Sequence, residues 1–325
     1  MASKIEISYV KEYELCDRNH FYAVKGISIL AALFAYVASI FYRIPNMKYI
    51  TFAATMVFVL CSGYGLSESY SKKRGLVHYW ENKMLKVWLP SLVILMVTSL
   101  IDKGMAIGWI AKTPLALKGN ILYVIFGGYA AFWLMFQLSD KRAVRLIGLL
   151  VISLAALFLM PENLAIRELV LGMPLGVAFS QLGWKYKVRK FKWLGKTILL
   201  LTGAAAAVGA WFLAGMVNIP YVTTAIWSVF YMAVAATLIF AVWIFRAVPV
   251  FGIFVPFGMA SYGFYLLYDS VFPLLEGRLN WKSLVVVSVV LCLAAAVLTV
   301  LRELLVAWNK NLRRKGKTHL KGSMW

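Results

Sequence analysis

Three cysteines, three histidines and 13 acidic residues among 325 positions leave little material for several kinds of chemistry. Cys16, Cys61 and Cys292 are scattered in or near apolar runs, without a CxxC pair and without Cys/His clustering. That argues against a disulfide framework and against a zinc site, and no metal is expected. His20, His78 and His319 all fall outside the apolar runs, so no histidine is expected within a membrane interior. An apolar leader is missing too: the first twenty residues, MASKIEISYVKEYELCDRNH, are polar, and no cleavable signal peptide is expected at the start. Internal repeats and a domain boundary are also lacking.

Apolar sequence, by contrast, is abundant. The chain is 62% hydrophobic with mean hydropathy +0.78, whereas soluble domains hold roughly 45–50% apolar residues. A spanning helix needs about 20 mostly apolar residues. Ten such stretches can be read, at about 22–41, 50–69, 84–101, 120–138, 143–160, 165–183, 196–215, 222–245, 252–272 and 283–307. Turn chemistry separates them at 43–46, 113–114, 161–163, 218–220 and 276–278. The expected fold is all-α, a polytopic membrane helix bundle of about ten transmembrane helices. Residues 1–20 form a cytoplasmic or interfacial segment, 21–309 the transmembrane domain and 310–325 a basic tail, expected to be disordered.

The net charge of +21 raises the possibility of a nucleic-acid partner, but the distribution argues otherwise. Basic residues sit in short loops between apolar spans, the pattern that orients membrane proteins. Ten spans with both termini cytoplasmic place most of the 34 Lys and Arg side chains inside. The basic runs at 185–196 and 313–321 suit anionic lipid headgroups.

Few ionisable side chains fall within the spans, and burial in lipid makes each a functional candidate. They are Lys25, Glu68, Arg167, Glu168 and Asp269. Arg167 and Glu168, at an outer span end, are expected to snorkel to water. Lys25 and Glu68 share a depth and could pair. Tyr36 lies eleven residues after Lys25, on nearly the same helix face and about 16 Å along the axis. Ser28, Ile29 and Ala32 stand between them. A cation, a smooth wall and a polar head would suit a tunnel for a long anionic thioester. Close helix packing through small residues explains the same face. In the ninth span, Ser261, Tyr262, Tyr265, Tyr268 and Asp269 crowd hydroxyls and a carboxylate onto an apolar helix. Tyr265 neighbours Tyr268 and Asp269 at spacings of three and four. Hydroxyls satisfied between helices and a functional cluster both remain open there.

Several short segments, in order, resemble motifs of one family. Val24-Lys25-Gly26-Ile27-Ser28-Ile29-Leu30 is similar to an opening Arg/Lys-Gly-Ile-x-Ile-Leu. Phe58-Val59-Leu60-Cys61-Ser62-Gly63-Tyr64 is similar to Phe-x-Leu-Ser-Gly-Phe/Tyr. Lys83-Met84-Leu85-Lys86 followed by Pro90 is similar to Arg-x-x-Arg-x-x-Pro. Phe132-Trp133-Leu134 stands where an aromatic Trp-Phe pair is found, and Leu171-Gly172-Met173-Pro174-Leu175-Gly176 is similar to Leu-Gly-Met-x-x-Gly. Ser261-Tyr262 through Tyr265-Leu266-Leu267 is similar to Ser-Tyr-x-x-Tyr-Leu. Together these resemble the acyltransferase 3 family of bacterial integral-membrane acyltransferases.

The resemblance implies transfer of an acyl group, commonly acetyl from acetyl-CoA, onto hydroxyls of surface or exported glycans at the inner membrane. The donor arrives from the cytoplasm. Lys25, Lys83 and Lys86 would steer the CoA phosphates, with Ser62, Ser261 and Tyr262 completing the donor site. Lys25 matches the basic residue of an Arg/Lys-x10-His pair, whose histidine is replaced here by Tyr36. Tyr268 likewise stands where the ninth-span signature ends in histidine. Tyr36, Tyr268 and Asp269 would therefore orient the acceptor hydroxyl or polarise the thioester. A histidine is poised to take a proton near neutrality, whereas a phenol ionising near pH 10 is charged only about one part in a thousand at pH 7. The alternative is a catalytically inactive relative, acting as carrier or assembly partner in envelope polysaccharide modification or export. An unrelated secondary transporter would show inverted repeats and broken helices in matching halves, a pairing the sequence lacks.

Overall fold

A computed structural model describes residues 15–70, 76, 78–94, 121–160, 165–183, 190–245, 250–275 and 281–322. The polar residues 1–14, the basic turn 72–74, the breaks at 113–114, 161–163 and 276–278, and the run 185–189 lie outside the described residues. No strand occurs among the described residues. Six helices there are long and apolar enough to cross a membrane, and two shorter apolar helices join them. Leu159, Leu201, Phe212 and Leu293 are exposed on helix surfaces. Apolar surface on this scale suits hydrocarbon rather than water. The chain is a multi-pass helical membrane protein.

Two compact units divide the chain, one of residues 1–76 and 116–259, the other of 77–115 and 260–325. In the larger unit, α1 (Arg18–Tyr42) and α2 (Met47–Tyr70) form a hairpin. Arg43 adopts a left-handed conformation and its N–H closes onto Ala38 O, and Asn46 is also left-handed. The polar turn expected at 43–46 is where the chain reverses. Phe21 meets Tyr64 with ring centroids 4.8 Å apart, and Lys25 Nζ sits 5.0 Å from the Phe58 ring centroid. Earlier residues of α1 therefore face later residues of α2.

In the smaller unit α3 (Tyr79–Lys83) begins five residues before the apolar run expected at 84. It widens into one π turn, Met84–Trp88, before continuing as helix to residue 94. Pro90 accounts for the widening. It has no N–H for the Lys86 carbonyl, and in an α-helix its ring would clash with that carbonyl. An i→i+5 turn relieves both.

Next in the larger unit come α4 (Ile121–Leu138) and α5 (Arg142–Leu159). The continuous span expected at 165–183 is instead two short pieces, a 3₁₀ turn (Ala165–Leu169) and α6 (Gly172–Gln181). The cause is again a proline. Pro174 occupies the first turn of α6, where a missing N–H is harmless, but helix through 170 would drive its ring into the Val170 carbonyl.

α6 lies against α2 and runs the same way. Gly172 faces Met56, Gly176 faces the backbone of Leu60 and Gly63 faces the backbone of Met173. A Cβ on Gly63 or Gly176 would collide with a neighbouring carbonyl oxygen, so the glycines permit the close approach. The serine–glycine step and the Leu-Gly-Met-x-x-Gly segment are thus two halves of one helix contact. α7 (Trp193–Met216) and α8 (Pro220–Ile244) form an antiparallel hairpin, pairing Trp211 with Trp227 and Gly203 with Thr237.

α9 (Val250–Leu275) has its first ten residues in the larger unit, where Gly26 meets the Phe254 backbone and Gly258 the Tyr22 backbone. α10 (Trp281–Gly322) belongs to the smaller unit. It runs straight through the residues expected to start a disordered tail. Lys and Arg are good helix formers, and an established helix extends at little cost.

Candidate functional site

The larger unit joins the first two motifs. Lys25 is half-buried on α1, against Phe58. Ser62, one turn after Phe58, donates its hydroxyl to Phe58 O at 2.8 Å. This leaves the Ser62 oxygen free to accept. Glu68 accepts a 2.8 Å hydrogen bond from Ser180 on α6. Tyr36 is half-buried, six residues before the end of α1. Continuing the α1–α2 register carries it to the level of Lys48 and Tyr49.

The smaller unit joins two further motifs that are distant in sequence. Lys83 is the last residue before the π turn and lies 5.6 Å from the Tyr79 ring centroid, and Lys86 is within the turn. Val87 lies within the π turn, and its carbonyl takes hydroxyl donors. Tyr262 of α9, buried, donates its hydroxyl to Val87 O at 2.6 Å. Ser91 Oγ lies 2.7 Å from Val87 O and 2.7 Å from Tyr262 Oη. Three oxygens thereby share two hydroxyl protons in a buried triangle. Ser261, beside Tyr262, is also buried. The Ser-Tyr signature thus binds the backbone between Lys86 and Trp88. The side chains of Tyr268 and Asp269 lie outside the described residues.

One expectation needs correction. Arg167 does not reach water: it is 5% exposed, its Nη2 donates to Thr224 Oγ1 and its guanidinium lies 5.8 Å from the Tyr221 ring centroid. Glu168, half-buried, accepts a hydrogen bond from Tyr231 and feels the charges of Arg167 and Lys48. The helix break before Pro174 sets this segment against α2 and α8. His20, which borders polar sequence, is fully buried in the first turn of α1. Its Nδ1 accepts from the Cys16 N–H at 3.3 Å, and its Nε2 lies 3.0 Å from Ile239 O. A nitrogen that accepts must be bare, so the proton is on Nε2, which donates to Ile239 O.

Sequence reasoning also missed Ser91, Thr224 and Tyr231. The two hydroxyl residues of α8 look like ordinary apolar-helix substitutions, and only a partner on another element gives them meaning. Pro90, followed at once by Ser91, was the available signal for the π turn. Among the described residues, no three His, Cys, Asp or Glu side chains gather closely enough to hold a metal ion.

A family model for an acyltransferase domain, the acyltransferase 3 type, matches residues 17–303. No curated protein and no solved structure shows significant similarity to the chain.

Proposed function

The chain belongs to the acyltransferase 3 family, and on that premise we propose that it acylates hydroxyls of a cell-surface or exported glycan. The acyl group, acetyl in the simplest case, comes from cytoplasmic acyl-CoA, and the protein resides in the inner membrane. In the overall reaction the acceptor oxygen bonds to the thioester carbonyl carbon, the C–S bond breaks, and CoA leaves carrying the acceptor's proton. Lys25, Lys83 and Lys86 are the cations proposed to draw the CoA phosphates, a task suited to compact ammonium charges. Ser62, Ser261 and Tyr262 are assigned to the donor, and Tyr36, Tyr268 and Asp269 to the acceptor hydroxyl or the thioester.

The observation that carries this reading is the bond from Tyr262 to Val87 O. It couples the Ser-Tyr signature to the turn presenting Lys83 and Lys86, an arrangement suited to fixing those cations. The second reading, an inactive relative serving as carrier or assembly partner, is favoured by one observation. Tyr36 and Tyr268 occupy positions where the resemblance calls for histidine.

The test uses purified protein in detergent with radiolabelled acetyl-CoA, following CoA release with and without lipid-linked glycan. Glycan-dependent release is expected, and Lys86→Ala should weaken it through KM for acetyl-CoA. No release above background from wild type and Tyr36→His alike would sink the enzyme reading. Release gained only by Tyr36→His would establish the inactive relative.

A further inference from the structure

The 3₁₀ turn Ala165–Leu169 holds a buried arginine next to a half-buried glutamate. Arg167 spends Nη2 on Thr224, but its Nη1 is buried and has no hydrogen-bond partner among the described residues. An orphaned donor of this kind costs about 1–3 kcal/mol, more when charged. Such a group calls for an acceptor that the described residues do not supply, and a ligand oxygen is one that would fit. Glu168 beside it accepts from Tyr231, which leaves most of its carboxylate lone pairs available.

The pairing selects the ligand chemistry. An anion drawn by Arg167 meets the charge of Glu168, and a cation drawn by Glu168 meets Arg167. A hydroxyl satisfies both, because its oxygen accepts from Nη1 while its proton goes to the carboxylate. The neighbourhood suits a sugar hydroxyl in particular. Tyr49 stacks on Trp227 at 4.4 Å, Trp227 on Tyr231 at 6.0 Å, and Trp211 meets Trp227 edge-on at 5.4 Å. Trp211 remains 38% exposed. Trp227 is stacked on Tyr49 and Tyr231, so within the cluster it is the exposed part of Trp211 that can meet the apolar C–H face of a sugar ring. The register of α1 on α2 also brings Tyr36 to the level of Lys48, whose charge acts on Glu168.

We propose that Arg167 and Glu168 form the acceptor-hydroxyl site, with Glu168 as the catalytic base; the assignment rests on the acyltransferase reading above. The hydroxyl proton passes to the Glu168 carboxylate as the acceptor oxygen bonds to the thioester carbonyl carbon. The C–S bond then breaks, and the thiolate of CoA takes the proton back from Glu168. Ester and free thiol result, and the carboxylate is restored.

Two acceptors separate base catalysis from structure. Hydroxylamine attacks thioesters without help from a base, whereas a panel of methyl glycosides needs one. Purified protein is given acetyl-CoA with either acceptor, and CoA release is followed above the rate without protein. Glu168→Gln keeps the partner of Tyr231 and should lower the glycoside-dependent rate roughly 100-fold or more. Its hydroxylamine-dependent rate should stay near wild type. Glu168→Asp, which withdraws the carboxylate by one methylene, should show the same pattern more mildly and serves if the glutamine variant does not fold. Glycoside rates unchanged in a folded variant overturn the assignment and leave the acyltransferase reading standing. So does equal loss with both acceptors. Wild-type transfer to hydroxylamine but to no glycoside overturns the sugar-hydroxyl site, and wild-type transfer to neither removes the proposed function and this site together.

Discussion

Tyr262 and Ser91 hold the Val87 carbonyl between them, and the two hydroxyls differ in what they can affect. Ser91 bonds within its own helix, while Tyr262 reaches from α9. Tyr262→Phe therefore removes the tie between elements and leaves the carbonyl its local partner. A typical intramolecular hydrogen bond contributes roughly 0.5–1.5 kcal/mol, or about two- to tenfold in an equilibrium. On the proposed assignment of Lys86 to the CoA phosphates, Tyr262 acts by positioning the turn that carries it, and the expected change is a rise of that size in KM for acetyl-CoA with kcat retained. Equal KM in wild type and variant would reduce the bond to a packing detail. His20 makes a useful contrast. With Nδ1 accepting and Nε2 donating, it fastens the start of α1 to α8 rather than shuttling a proton.

Prolines and glycines decide the shapes of the elements. Pro90→Ala restores the missing N–H, so the π turn can tighten to an α-helix. Tightening changes the angle between Lys83 and everything beyond Trp88, and withdraws Val87 O from Tyr262. The prediction is opposite in sign for two measurements. Thermal stability should hold or rise, since alanine is the better helix former by about 3 kcal/mol, while acetyl-CoA affinity falls. A variant that binds as tightly as wild type would show the π turn to be incidental. Gly176→Ala tests the contact of α6 with α2 in the same way. Its Cβ would meet the Leu60 carbonyl oxygen, a backbone atom that cannot swing aside. Overpacking of this kind costs typically 1–3 kcal/mol, seen as a lower melting temperature in detergent.

At the scale of the whole molecule, long apolar runs were legible because their period and length suffice: α1, α2, α7 and α8 begin and end within a few residues of the expected spans. Legibility failed where one residue changes the backbone's course, at Pro90 and Pro174, and where a side chain's partner is remote in sequence, as with Arg167 and Thr224. A charged residue at a span end reads as solvated, and nothing local says that the next turn folds it inward. Helix direction supplies the last test. α2, α6 and α8 all run the same way: residues 56, 60 and 68 of α2 meet 172, 176 and 180 of α6, and Phe179 of α6 meets Phe240 of α8 while Arg167 before it meets Thr224. If α2 runs inward, an odd number of crossings must separate residue 70 from residue 165, and an odd number must separate α6 from α8. The expected spans at 84–101, 120–138 and 143–160, and then α7, satisfy both conditions. With the termini inside, single cysteines replacing Asn46 and Asn218, in a background with Cys16, Cys61 and Cys292 replaced by serine, should react with a membrane-impermeant maleimide in intact cells. A cysteine at Lys317 should react only after lysis. Labelling of residues 46 and 317 from the same side would overturn the crossing count, and labelling of residue 46 only after lysis would overturn the placing of the lysines on the side where acyl-CoA is found.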